Sequence, residues 1–93
     1  MPSTDVTIGS TVGLHARPAS LFVQAATDTG LPVTIAKDGG APVDARSLLA
    51  VMSLGARHGD TVTLAAEGEG AESAVDRLSR MLASDLDAEG ASA

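Results

Sequence analysis

Several residue types that stabilise small proteins or bind metals are missing from this sequence. It contains no cysteine, tryptophan or tyrosine, and its single aromatic residue is Phe22. Without cysteine, the chain can form neither disulfide bonds nor a zinc or iron–sulfur site with cysteine ligands. The longest apolar run, residues 48–52, is far shorter than the ~18 residues that a membrane span needs. The first five residues lack the basic and apolar regions of a signal peptide, so we expect a cytoplasmic protein without membrane insertion.

The 93 residues suit one domain, and their charge is unevenly distributed. Twelve acidic and six basic side chains give a net charge of −6. This acidity argues against a nucleic-acid partner, because binding to the phosphate backbone needs a basic face. Residues 67–93 contain seven of the acids and only two arginines, so most of the negative charge lies there. The rest of the chain is nearly neutral and can therefore present a locally cationic site.

Hydrophobic periodicity predicts seven elements in the order β-α-β-β-α-β-α. Helices covering one face of a mostly antiparallel sheet are the natural packing for this order, which makes the expected class α+β. We expect a domain at residues 1–88 and a flexible tail at 89–93, since the tail has nothing to bury. The predicted strands cover residues 4–9, 33–35, 41–45 and 61–65, with a hairpin turn at 37–40 joining the second to the third. The predicted helices run from a first turn that contains Pro18 to about Asp28, from a cap at Ser47 to Gly55, and from Ala71 onward.

The two later helices have apolar stripes that predict their inner faces. In the short helix, helical spacing places Leu48, Val51 and Met52 on the inner face more readily than Leu49. An exposed ion pair between Asp76 and Arg80 is expected on the last helix, because the two lie four residues apart. The inner face of that helix is predicted to comprise Ala71, Ala74, Val75, Leu78, Met81 and Leu82.

His15 has the surroundings of a phosphate site. A loop ends and a helix begins within three residues of it, and a helix N-terminus favours an anion through its unpaired N–H groups and its dipole. Ala16, Arg17 and Ala19 can offer N–H groups, although Pro18 cannot. Arg17 adds a guanidinium fork that suits phosphate oxygens. The positive helix end disfavours protonated imidazole and lowers the expected pKa of His15, which leaves a nucleophilic nitrogen.

The residues by themselves leave a simpler alternative open. A single histidine beside a helix start is most often a capping or surface residue, and a single arginine is most often a solvated charge. The other histidine, His58, lies in a glycine-flanked turn and is expected to be exposed and inert. Two histidines so far apart without an acid pair are also a poor metal site, so no metal is expected.

Two sequence blocks resemble those of a known family. Residues 13–20, Gly-Leu-His-Ala-Arg-Pro-Ala-Ser, are similar to the active-site signature of HPr, the histidine-containing phosphocarrier family of the bacterial phosphoenolpyruvate:sugar phosphotransferase system. Residues 46–55, Arg-Ser-Leu-Leu-Ala-Val-Met-Ser-Leu-Gly, resemble the family's serine-site signature. Both blocks stand at the family's mutual spacing, and the element order matches its open-faced β-sandwich, a four-stranded sheet covered by three helices. The resemblance covers residues 4–88.

The resemblance implies a stoichiometric phosphoryl carrier rather than an enzyme. His15 would receive a phosphoryl group on Nδ1 from Enzyme I and pass it to the EIIA domain of a sugar permease. Arg17 and the N–H groups of Ala16 and Arg17 would hold the phosphoryl oxygens. No cofactor is implied, and a monomer is expected. Val12 departs from the family, which often has a polar residue there, so one side-chain hydrogen bond is expected to be missing unless Thr11 or Ser10 supplies it.

Ser47 and its neighbours have two readings each. An N-cap role is sufficient to account for Ser47, because replacing it with alanine should lower the free energy of unfolding by ~1 kcal/mol. The resemblance adds regulatory phosphorylation of Ser47 by HPr kinase/phosphorylase and contacts with regulators. The two charges that a phosphate adds would alter those contacts. It also implies a partly exposed docking patch for partner proteins. That patch comprises Leu48, Leu49, Met52 and Leu54.

Two other functions remain as alternatives. A regulatory or nitrogen-branch phosphorelay, or a protein-interaction module, could use the same fold, but a purely regulatory relative would not need His15. An enzyme with His15 as general base would need a pocket and an orienting acid, and no acid lies near His15 in the sequence.

Overall fold

The computed structural model describes residues 2–9, 13, 16–37 and 39–84. The elements occur in the predicted order. None of the helices in these ranges is long and apolar enough to cross a membrane. The expected tail at 89–93 lies outside the described residues. The elements are β1 (Ser3–Thr7), α1 (Ala16–Asp28), β2 (Val33–Lys37), β3 (Val43–Asp44), α2 (Leu48–Ser53), β4 (Thr61–Ala66) and α3 (Ala71–Ala83).

The four strands form one sheet in the order β1-β4-β2-β3, and every neighbouring pair is antiparallel. The predicted hairpin joins β2 to β3, and its turn is closed by a 2.8 Å hydrogen bond from the Gly40 N–H to the Lys37 carbonyl. The last strand in the sequence, β4, lies between β1 and β2. Val62 on β4 pairs with Val6 on β1, and Leu64 pairs with Ile35 on β2. The central strand therefore holds together parts of the chain that are distant in sequence.

The helices cover one face of this sheet, as the sequence predicts. Strand residues alternate between buried and accessible positions, and α3 packs against β1 and β4 while α1 packs against α2 and α3. The uncovered face is formed by serine, aspartate, threonine and alanine side chains of the other strand positions, which need no cover. The strand residues of the core are Val6, Val33, Ile35, Val62, Leu64 and Ala66.

The helices meet these strands through small and branched side chains. Phe22 on α1 and Leu78 on α3 are fully buried, as is Val51 on α2. The predicted stripe of α3 is confirmed, except that Met81 is only partly buried at its margin. Asp76 and Arg80 form the expected exposed ion pair, with 3.2 Å between Oδ2 and Nη2.

Helix α1 begins at Ala16, so Pro18 lies in its first turn as predicted, where N–H groups have no helical acceptor. Two local predictions are wrong. Strand β3 is only two residues long instead of residues 41–45, since Pro42 has no N–H to donate to a ladder. Leu48 and Met52 are each 40% exposed rather than on an inner face. A six-residue helix at the sheet margin has room to bury one side chain, and that side chain is Val51.

Candidate functional site

The N-terminus of α1 presents a cation at the surface. The side chains of Ala16 and Arg17 are exposed, whereas Pro18 and Ala19 are buried and hold the first turn against the core. The first N–H groups of a helix have no partner within the helix, and there is no acidic residue in this first turn to receive them. This end of α1 is therefore a surface suited to an anion.

Arg17 is not paired with an acid in the part of the chain that the structure describes. The ion pairs found there join Lys37 to Asp60, Arg46 to Asp44 and Arg80 to Asp76. A cation in the first turn is repelled by the positive end of the helix dipole. Arg17 is thus electrostatically unfavourable at its position until an anion binds beside it.

His15 directly precedes Ala16 in the chain, but it lies outside the described residues. The same holds for Val12 and for its proposed substitutes Ser10 and Thr11, so the missing hydrogen bond expected at Val12 stays a prediction. The structure does describe the two residues on either side of this group, Gly9 and Gly13.

Gly13 and Gly9 hold the two ends of the loop against the body of the domain. Gly13 is buried with φ +70°, and a Cβ there would lie 2.7 Å from the carbonyl oxygen of Ala56 and 2.9 Å from Cα of Arg57. Gly9 donates its N–H to the Leu82 carbonyl at the end of α3 (2.8 Å), and a Cβ on it would overlap the Ala83 carbonyl. Both positions need glycine, because any side chain would force the backbone segments apart.

The large apolar side chains exposed in the described residues all belong to α1 and α2, which pack against each other. Leu49 is 80% exposed, Leu48 and Met52 are 40% exposed, and Leu54 is half-buried against the core. Sequence analysis missed a fifth member, Leu21 of α1, which is 45% exposed and lies one helical turn after Arg17. Its position outside the apolar stripe of α1 was the available signal. These five leucine and methionine side chains are called the apolar patch below.

Ser47 is the N-cap of α2, as predicted. Its Oγ accepts a hydrogen bond from the Ala50 N–H at 3.3 Å, and its backbone is extended. The residue is half-buried, and its hydroxyl proton is not used by the cap. The cap role is thus observed, whereas the regulatory role stays a prediction.

The remaining polar groups form a small number of local contacts. His58 is exposed in its turn, as expected, and no cluster of metal-ligating side chains occurs within the described ranges. The pKa of Asp44 is held below its usual value by the backbone N–H and the guanidinium of Arg46. The pKa of Asp60 is likewise lowered, chiefly by the backbone N–H of Arg57 and then by the Lys37 ammonium.

A comparison with protein families shows to which family this fold belongs. Residues 2–84 match the family model described as the phosphotransferase-system HPr component phosphorylation site. The chain belongs to the HPr family of phosphocarrier proteins. Helix α1 with Arg17, the Gly13 contact and the Ser47 cap all lie inside the matched region.

Relatives within the HPr family cover nearly the whole chain. The phosphocarrier protein HPr of Streptomyces coelicolor is 54% identical over 87 residues, which are 94% of each chain. The HPr-like protein Crh of Bacillus subtilis is 46% identical over 66 residues, 71% of this chain and 76% of Crh. The crystal structure of an HPr from Thermoanaerobacter tengcongensis superposes with a TM-score of 0.86 and 38% identity, covering 94% of this chain and 97% of the other. These matches confirm the predicted open-faced sandwich and the phosphocarrier function within the phosphotransferase system.

Proposed function

We propose that His15 is the phosphoacceptor and that the start of α1 holds the transferred group. The observation that carries this proposal is the exposed Arg17 in an acid-free first turn, two residues after His15 in the chain. The guanidinium of Arg17 and the N–H groups of Ala16 and Arg17 would bind the phosphoryl oxygens. An incoming phosphoryl group would relieve the repulsion between Arg17 and the helix dipole, so its charge is complementary to the site.

The transfer itself needs little from the protein besides position and charge. The lone pair of neutral His15 Nδ1 attacks phosphorus, the new N–P bond forms, and the donor's bond to phosphorus breaks with its electrons returning to the donor. The ring keeps its proton on Nε2 throughout. Transfer onward reverses these steps. Donors that are exposed at a helix start bind the group weakly enough to release it, which suits a carrier that is consumed and regenerated rather than an enzyme.

The partners proposed for this exchange are Enzyme I as donor and the EIIA domains of sugar permeases as acceptors, in the cytoplasm. The apolar patch supports this assignment, because it lies on α1 and α2, and Leu21 is one turn from Arg17. Exposed apolar side chains beside a polar transfer site are typical of a protein surface that docks with partners. A monomer would leave this surface free for each partner in turn.

The direct test is phosphorylation by phosphoenolpyruvate and catalytic Enzyme I, followed by intact mass. Wild-type protein should gain one phosphoryl group that is labile to acid and stable to base. His15→Ala should gain none. His58→Ala is the matched control and should be modified like wild type, since the His58 side chain is exposed and is not among the contacts described for residues 55–60. A wild-type chain that stays unmodified, or a His15→Ala chain that is modified, would contradict the proposal.

A regulatory role for Ser47 is proposed beside the carrier role. Its hydroxyl proton is free, and a phosphate on it would lie at the N-terminus of α2, where negative charge is tolerated. Two added charges beside the apolar patch would weaken docking of partners that need a dry contact. Incubation with ATP and an HPr kinase should give one acid-stable phosphate, absent in Ser47→Ala. No acid-stable phosphate on wild-type protein would limit Ser47 to its cap.

The similarity to Crh favours one alternative, a regulatory or nitrogen-branch module of the same fold. It predicts a chain that binds regulators without taking a phosphoryl group from Enzyme I. The presence of His15 and Arg17 argues for the carrier, and the phosphorylation experiment above separates the two functions.

A further inference from the structure

Residues 55–60, between α2 and β4, form a segment that is held by charged side chains as well as by the buried side chain of Ala56. Asp60 Oδ2 accepts a hydrogen bond from the Arg57 N–H at 2.9 Å and lies 3.4 Å from Lys37 Nζ. Lys37 Nζ also donates to the Gly55 carbonyl at 3.2 Å. Lys37 is the last residue of β2 and the sole lysine in the chain. One ammonium group thus ties both ends of the segment to the sheet.

The same segment also contacts described residues on both sides of residues 10–12, which precede His15 in the chain. Gly13 packs directly on it, with no space for a Cβ between its backbone and those of Ala56 and Arg57. Ile8, where the chain leaves β1, is bonded to it in both directions. The Ile8 N–H donates to the Asp60 carbonyl (2.9 Å), and the Gly59 N–H donates to the Ile8 carbonyl (3.0 Å). The described contacts therefore place residues 55–60 against both Ile8 and Gly13.

We infer that Lys37 and Asp60 are positioning residues for phosphoryl transfer, because they fix the segment against which Gly13 packs, two residues before His15 in the chain. This inference rests on the proposed role of His15. The Lys37 and Asp60 side chains are 31% and 29% exposed. An ion pair that is open to solvent to this extent adds little to the stability of the fold. The contacts that they make are instead directed at the backbone of Gly55 and Arg57. Contacts of this kind fix the position of the backbone more than they raise the free energy of unfolding.

The test compares transfer kinetics in Lys37→Met, Asp60→Asn and Lys37→Arg with those of wild type. The first two should lower the turnover number of phosphoryl transfer from Enzyme I by about tenfold, since even an ångström of misplacement can cost 10²-fold. The KM for the carrier should stay within a factor of about two, because the apolar patch is untouched. Lys37→Arg should restore most of the rate, since it keeps the charge and the donors. Asp76→Asn, which removes the exposed ion pair of α3, is the matched control and should transfer at the wild-type rate.

A double-variant cycle makes the test specific to the Gly13 contact. If Lys37 acts through residues 55–57, then Gly13→Ala and Lys37→Met displace the same loop, and the double variant should transfer no more slowly than Gly13→Ala alone. Independent structural defects would instead multiply their effects on the rate. Should a variant fail to fold, acetylation of folded wild-type protein replaces it, because Lys37 is the only lysine. Lys37→Arg treated in the same way controls for acetylation of the N-terminus.

The outcomes distinguish the two proposals. If Lys37→Met transferred as fast as wild type, the positioning role would be overturned and His15 would remain the acceptor. The same would follow if Asp76→Asn lost as much of the transfer rate as Lys37→Met. A loss that appears in KM rather than in turnover would also overturn it. Wild-type protein that takes up no phosphoryl group would overturn the proposed function and this inference with it.

Discussion

Replacing Arg17 with glutamine should stabilise the protein while impairing its function. Arg17 is exposed in the first turn of α1, has no acidic partner in the described part of the chain, and faces the positive end of the helix dipole. Removing a cation from such a position should raise the free energy of unfolding by about 0.3–1 kcal/mol. For a domain of this size, the Tm should rise by about 1 to 8 °C.

The functional effect of this substitution should be opposite in sign and larger. The guanidinium is proposed to make charge-assisted hydrogen bonds to the phosphoryl oxygens, and bonds of this kind contribute about 1.5–3 kcal/mol. Phosphoryl transfer from Enzyme I should therefore slow by about 10- to 100-fold. The opposite signs are the diagnostic result, because an arginine that merely packed on the surface would lose stability or change nothing.

The assay pairs thermal unfolding by circular dichroism at low ionic strength with transfer rates from phosphorylated Enzyme I. The stability gain should shrink as salt is added, since exposed charges are screened. Arg77→Gln is the matched control, because Arg77 is exposed in the middle of α3, away from either helix end. It should change neither quantity. An Arg17→Gln protein that melts below wild type, or that transfers at the wild-type rate, would refute the reasoning.

Three further predictions concern stability. Ser47→Ala should lower the free energy of unfolding by about 1 kcal/mol through loss of the cap to Ala50, with transfer to His15 unchanged; urea denaturation and the mass assay check this. Gly13→Ala should cost more than Gly30→Ala in thermal melts, because both glycines have φ +70° and share a left-handed strain of about 1–2 kcal/mol, but only Gly13 meets backbone atoms; equal losses would contradict the close contact. Asp60→Asn should make the free energy of unfolding depend less on pH. Because the folded pKa of Asp60 lies below the ordinary 3.8, its contribution is present above about pH 4 and is lost as the pH falls through the lowered pKa, so the difference between wild type and variant in urea midpoints should shrink from pH 6 to pH 3.

Local patterns predicted the parts of this fold that depend on neighbours in sequence. The stripe of α3, the Ser47 cap and the hairpin after Lys37 each result from interactions within a few residues, and the structure contains all three. The helix start after His15 was predicted as well, since α1 begins at Ala16 and Pro18 lies in its first turn, where proline needs no N–H.

The arrangement of these pieces depended on contacts that no local pattern contains. Sequence periodicity did not place β4 between β1 and β2, and it did not show that Leu21, Leu48 and Met52 stay exposed. Whether a residue on a short amphipathic helix is buried depends on how much surface the neighbouring elements have left to cover.

By itself, the sequence determined the element order and the Ser47 cap, because these follow from the properties of adjacent side chains, and it predicted the residues of the transfer chemistry. Only the tertiary structure decided that Lys37 meets Asp60 and that Gly13 rests on Ala56. Those pairs are 23 and 43 residues apart in the sequence. They meet because the antiparallel sheet returns β4 alongside β2 and β1, which brings the segment before β4 against Ile8 and Gly13.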